Sequence, residues 1–134
     1  EGTVCHGEYN QHNVLMLRGS TAVTNFEKWS FDVPTADLYR FMRKVLEKNN
    51  WDVQLAREML RAYHRQRKLS WEEIENLRIR FSYPEKYWKL LNGYFNHKKS
   101  WFSEQSLQKL RSLGEMEQCR EQFLKNYENG GSFL

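Results

Sequence analysis

The chain has 134 residues, 40% hydrophobic, 15% aromatic and 28% charged, the makeup of one ordinary globular domain, which excludes a disordered or fibrous protein. Only two Pro and seven Gly argue against a loop-rich or all-β chain, and no run approaches the ~18–20 apolar residues of a membrane span. A net charge of +4, from 21 Lys and Arg against 17 Asp and Glu, permits an anionic partner without requiring one.

The first residues, EGTVCHGEYN, have neither a basic start nor an apolar stretch, so no secretory leader is expected there. Cys5 and Cys119 stand near opposite ends. A chain this rich in aromatic residues can build a core without a disulfide, so two free thiols in a reducing interior are expected. The segment His6-Gly7-Glu8-Tyr9-Asn10-Gln11-His12-Asn13 then places a carboxylate five residues before an Asn, directly ahead of a strand. That is the spacing of a phosphotransferase catalytic loop, in which the acid orients a substrate hydroxyl and takes its proton while the Asn coordinates Mg²⁺. Cys5, His6 and His12 do not make a zinc set, because no second Cys/His pair stands at ligand spacing.

NVLML and TAVTNF are short apolar and β-branched runs separated by Arg18-Gly19-Ser20, which predicts a hairpin. A metal-binding Asp is normally delivered by the end of such a hairpin, but Asn25 stands twelve residues past Asn13. From Pro34 onward the period becomes helical. Pro34 suits a first helical position, and Leu38, Phe41, Met42, Val45 and Leu46 share one face. Asn49-Asn50 ends that helix, and Asp52 caps a second with Leu55, Ala56, Met59, Leu60 and Tyr63. Ser70 and Glu73 have capping-box spacing ahead of Ile74, Leu77 and Phe81. Tyr83-Pro84 breaks the chain before a helix with Tyr87, Trp88, Leu91, Tyr94 and Phe95. Ser103 can cap a last helix, with Gly114 as its weak point, and Asn129-Gly-Gly-Ser132 reads as a tail. The organisation expected is a catalytic-loop-like segment and β-hairpin over 1–32, a helical part over 33–128 and a flexible tail over 129–134, together one domain.

The order HGExxxxN, strand, turn, strand ending in NF, then Asp37-Leu38 in a helix resembles the aminoglycoside phosphotransferase and choline kinase superfamily, whose members show HGDxxxxN, then IDF or IDW, then DLA. Within it, FMRKVLEKNNWD, the Leu55-Ala56-Arg57 helix ending in AYH, LSWEE and YPEKYWKLLNGYFN are similar to the spore-coat CotS family of endospore-forming bacteria. The likeness runs from about Val4 to Leu124. It implies a mainly α protein with a small N-terminal β-hairpin, the C-terminal lobe of a protein-kinase-like fold. It also implies that Glu8 holds the position of the catalytic-loop acid, Asn13 and Asn25 the Mg²⁺ positions, and that His6 and Asp37 hold the loop in place.

Two positions depart from the pattern. Glu8 is one methylene longer than the family's Asp, which moves the acceptor by about 1 Å, and misplacement on that scale can cost ~10²-fold in rate. Asn25 offers a neutral amide where the family has an anionic ligand. No Gly-rich nucleotide loop occurs, so this chain reads as part of a larger kinase-like protein that alone does not bind ATP productively. The expectation is a catalytically degenerate, structural or interaction domain associated with the spore coat or the mother-cell cytoplasm. Its partners would be other coat proteins, its own N-terminal lobe or a second copy. No cofactor is expected for this chain, with Mg²⁺ and ATP required only if the full-length protein is active. The alternatives are the C-lobe of an active small-molecule phosphotransferase and a basic helical nucleic-acid-binding domain. The last would use Arg57, Arg61, Arg65, Arg67 and Lys68, for which a solvated helix face is the preferred reading. Trp71, Trp88 and Trp101 with Tyr83, Tyr87 and Tyr94 are read as packed core rather than a stacking platform, and Leu38, Phe41, Leu60, Tyr63, Trp88 and Leu91 are expected to be buried.

Overall fold

The computed structural model describes residues 2–96 and 104–129. Four short strands, β1 (Thr3–Cys5), β2 (Val14–Leu17), β3 (Ser20–Val23) and β4 (Ser30–Asp32), precede five helices. The helices are α1 (Thr35–Lys48), α2 (Val53–Gln66), α3 (Trp71–Ser82), α4 (Glu85–Asn96) and α5 (Glu104–Asn129). The expected hairpin is present: β2 and β3 pair antiparallel, Val14 opposite Val23 and Leu17 opposite Ser20. Gly19 supplies the positive φ of 80° that a two-residue turn requires.

The hairpin is not the whole β structure. β1 pairs antiparallel with β4, Thr3 opposite Asp32 and Cys5 opposite Ser30, and brackets the hairpin. Three-residue strands carry almost no periodic signal, and their pairing across the intervening chain is a tertiary event. Both thiols are free, Cys5 buried and Cys119 half-buried. Burial pushes the Cys5 thiol up from its ordinary value, with the Asp37 and Asp32 charges adding to the effect.

Helix boundaries follow local chemistry closely. The Asp52 carboxylate accepts from the Gln54 and Leu55 amides at 2.7 and 3.1 Å. Ser70 and Glu73 form the reciprocal capping box, at 3.3 and 3.1 Å. Pro34 sits one position outside α1, as its N-cap, rather than inside it. At the other end the Leu46 carbonyl accepts from Asn49 and Trp51 at 3.0 and 2.8 Å. Asn50 and Trp51 turn through the left-handed region, at φ 50° and 56°. That conformation is unfavourable for a bulky residue and is held here by burial of the Trp51 ring. Tyr83-Pro84 separates α3 from α4, and Gly114 lies inside an uninterrupted α5. The expected cap at Ser103 and the tail from 130 to 134 lie outside the described residues, as do Trp101 and the side chain of Tyr94.

The core forms where α1, α2, α3 and α5 meet. Tyr39, Met42 and Leu46 come from α1, Leu60 from α2, Phe81 from α3 and Phe123 from α5, with Trp51 closing the α1–α2 corner. Leu38 and Leu60 are buried, Phe41, Tyr63 and Leu91 are half-buried, and Trp88 is 54% exposed. The expectation of a packed aromatic set is corrected with it, because Trp71, Tyr83 and Tyr87 are exposed too. Helical period identifies residues that share a face; it does not say whether another element covers that face. Trp71 is the first residue of α3 and is 74% exposed. Leu60→Ala should cost about 2–5 kcal/mol in equilibrium unfolding, and Leu91→Ala clearly less. Equal losses would mean that α4 is packed as deeply as α2.

Candidate functional site

The segment after β1 is built around the N-terminus of α1. Asp37, in the first turn of that helix, accepts from the His6 amide at 2.5 Å and the Gly7 amide at 3.0 Å. One carboxylate thereby satisfies two consecutive loop N–H groups. It also meets Arg40 at 3.3 Å. The His6 ring is buried against Phe26, with centroids 4.5 Å apart. Its Nδ1 accepts from the Glu8 amide at 3.1 Å while Nε2 donates to the Thr24 carbonyl at 2.7 Å. These partners define a neutral ring with the proton on Nε2, linking the loop to the end of β3.

Glu8 points outward and forms an ion pair with Lys28. The Lys28 ammonium hydrogen-bonded to it holds the Glu8 carboxyl below the usual carboxylate range. Its backbone carbonyl receives two side-chain amides, Asn10 Nδ2 and Asn13 Nδ2, each at 2.9 Å. Asn10 also caps the one-turn 3₁₀ segment Gln11–Asn13, its Oδ1 accepting from the His12 amide at 2.9 Å. Local Asn side chains thus make the backbone contacts that a regular element would otherwise supply.

Asn13 is buried, and its Oδ1 accepts from Asn25 Nδ2 at 2.7 Å. Asn25 adopts the left-handed region at φ 62°, ψ 57°, which Asn tolerates better than most residues. The two residues standing at the inherited metal positions are therefore bonded to each other, amide to amide. This donor set does not fit Mg²⁺: both groups are neutral, and one of the two amide oxygens is already occupied by an N–H. Glu8 is engaged by Lys28, and Glu27 lies exposed on the turn Phe26–Lys28. Among the described residues no three His, Cys, Asp or Glu side chains gather where they could hold one ion.

His6, Glu8, Asn13, Asn25 and Asp37 are thus joined in one continuous hydrogen-bonded cluster. Sequence reasoning missed Lys28, Gly7 and Arg40. Lys28 lies twenty residues from Glu8, and no spacing rule connects them. Gly7 could have been found as the glycine inside the loop, since its φ of +81° leaves no room for a side chain beside the Lys28 carbonyl. The basic stripe of α2 is solvated only in part, since Arg57 is half-buried. Arg61 and Arg65 are exposed and Arg67 is tied to Glu73 by contacts of 3.1 and 2.5 Å. No helix among the described residues is long and apolar enough to cross a membrane.

A family model described as "Spore coat putative kinase YutH" matches residues 1–127. "Spore coat protein S" of Bacillus subtilis (strain 168) is 23% identical over 125 residues, covering 92% of this chain and 36% of that protein. The chain therefore spans about a third of the length of that curated relative. No solved structure matches it.

Proposed function

Because this chain belongs to the family described as spore coat putative kinase YutH, we propose that it is the C-terminal lobe of a kinase-like protein whose phosphotransfer site is degenerate. Its present role is then structural or interaction-based, at the spore coat, with other coat proteins as partners. The resemblance to aminoglycoside phosphotransferases and choline kinases supports the lobe assignment, and the length of the B. subtilis relative leaves room for a nucleotide-binding lobe elsewhere. In this reading Asp37 and His6 brace the loop, while Glu8 keeps the position of the acid without a metal beside it.

The observation that carries the proposal is the Asn25-to-Asn13 hydrogen bond of 2.7 Å. An aspartate at position 25 could not donate there. It would instead turn two oxygens toward one point and add the negative charge that holds Mg²⁺ beside phosphates. In the full-length protein, Asn25→Asp should strengthen Mg²⁺-dependent nucleotide binding by about tenfold or more, ~1.4 kcal/mol. Glu8→Asp alone should leave it nearly unchanged, because that carboxylate faces Lys28. Calorimetric titration of ATP with and without Mg²⁺ reads both. Tight Mg²⁺-dependent binding by the unsubstituted protein would overturn the degenerate reading. A response to Glu8→Asp with none to Asn25→Asp would remove position 25 from the site.

A further inference from the structure

A cleft of about 440 Å³ opens on one side of the loop, between residues 7–10, the outer face of α1, the end of α3 and the start of α4. Its walls carry Arg40, Arg43 and Lys44 from α1, Arg80 from α3 and Lys89 from α4, against two carboxylates, Glu8 and Glu85. Both carboxylates are already engaged. Glu8 is bound by Lys28. Glu85 lies 2.5 Å from Lys89 and 3.1 Å from Arg43 Nε, an ion-pair contact without hydrogen-bond alignment. Burial works to raise the Glu85 carboxyl, but the Lys89 and Arg43 contacts outweigh it and hold it below its ordinary value.

The cations are less completely matched. Lys44 makes no ion pair among the described residues. Arg40 reaches Asp37 only at 3.3 Å, and that carboxylate is shared with two loop amides. Arg80 stands 3.7 Å from Asp32 and donates its Nε to Asn76. Arg43 is matched by Glu47 at 2.8 Å and Lys89 by Glu85, so the positive charge that is not fully compensated faces one concave space from α1 and α3. A planar carboxylate presents its oxygens in one plane, whereas a phosphate presents them tetrahedrally. Donors converging from several directions match the second geometry, and guanidinium groups add forked hydrogen bonding.

We propose that this cleft binds a ligand carrying more than one phosphate group, held by Arg40, Lys44 and Arg80 without a metal ion. Because binding needs no metal, this site stands or falls separately from the degenerate Asn13–Asn25 pair. The ligand's phosphates would lie against α1, close to Arg40. Arg40 touches the same Asp37 that anchors His6 and Gly7, so occupancy of the cleft also bears on the geometry of the loop.

The test is calorimetric titration of inorganic triphosphate into the full chain, in EDTA and at low ionic strength. Four variants accompany it: Lys44→Glu, Lys44→Gln, Arg80→Gln and, outside the cleft on α2, Arg65→Glu. Binding should be measurable. It should weaken by about tenfold in Lys44→Glu, by less in the two Gln variants, and by clearly less than the Lys44→Glu loss in Arg65→Glu, which is not among the residues lining the cleft. Citrate, which offers three carboxylates instead, should bind more weakly than triphosphate. Absence of binding at millimolar triphosphate would overturn the proposal. So would equal losses from Lys44→Glu and Arg65→Glu, or a citrate affinity matching that of triphosphate. The Gln variants keep the outcome readable should the charge reversal disturb folding.

Discussion

Phe81→Ala should destabilise the protein by about 3–5 kcal/mol, a large share of the total stability of a domain this size. Phe81 is 1% exposed and stands where α1, α3, α5 and the corner between α1 and α2 meet. Its ring lies 5.4 Å from Tyr39, 5.5 Å from Phe123, 6.1 Å from Trp51 and 6.3 Å from Tyr127. Three of these contacts are edge-to-face, at interplanar angles of 85°, 89° and 61°, an arrangement that aromatic pairs favour beyond simple area burial. The Phe81 carbonyl also accepts from Arg120 at 2.7 Å, so backbone and ring both tie α3 to α5. Truncation removes the ring but leaves a cavity that stiff neighbours cannot close. Urea unfolding should show a lower midpoint at an unchanged slope. Phe81→Leu, which keeps more of the volume, should cost under about 1.5 kcal/mol. A loss below about 1 kcal/mol for the alanine variant would mean that α1, α3 and α5 do not meet at this ring.

Gly7→Ala and Gly114→Ala are the same chemical change and should have opposite signs. A Cβ at position 7 would sit 1.9 Å from the Lys28 carbonyl oxygen and 2.8 Å from its carbon, on a backbone at φ +81°. Neither obstacle is a side chain that can swing away. The left-handed strain costs about 1–3 kcal/mol and the forced displacement about as much again, so a loss of ~3 kcal/mol or more is expected. The loop must leave either Lys28 or Asp37, and the second choice breaks two amide contacts. Thermal unfolding should fall by about 10 °C or more. At position 114, inside α5, an added Cβ meets nothing within 4 Å. There alanine should stabilise by roughly 0.5–1 kcal/mol through helix propensity and reduced unfolded-state freedom. Similar melting shifts for both variants would contradict the close approach of Gly7 to Lys28.

The features legible in the amino-acid order are local ones. Asp52, Ser70, Glu73, Pro34 and Gly19 act within a few residues of themselves, so their caps and turn are written in short spacings. The stripes of α1 and α2 belong to the same class, since a period of 3.6 places Leu38, Met42, Leu46 and Leu60 on inward faces. The family likeness rests on the same short strings, and the family match over residues 1–127 agrees with its spore-coat, kinase-like part. Other features depend on contacts between distant segments and carry no such signal. β1 finds β4 only because the chain folds back behind the hairpin. Trp88 shares the helical spacing of a core residue yet remains exposed, since its face of α4 meets little of the bundle. The loop residues come together through Asp37, thirty-one residues from His6, and the Asn13–Asn25 amide pair requires the hairpin to close to 2.7 Å. Residue types, spacings and caps determine the elements. Which faces are covered, which charges are matched and which donors converge are decided only when those elements pack.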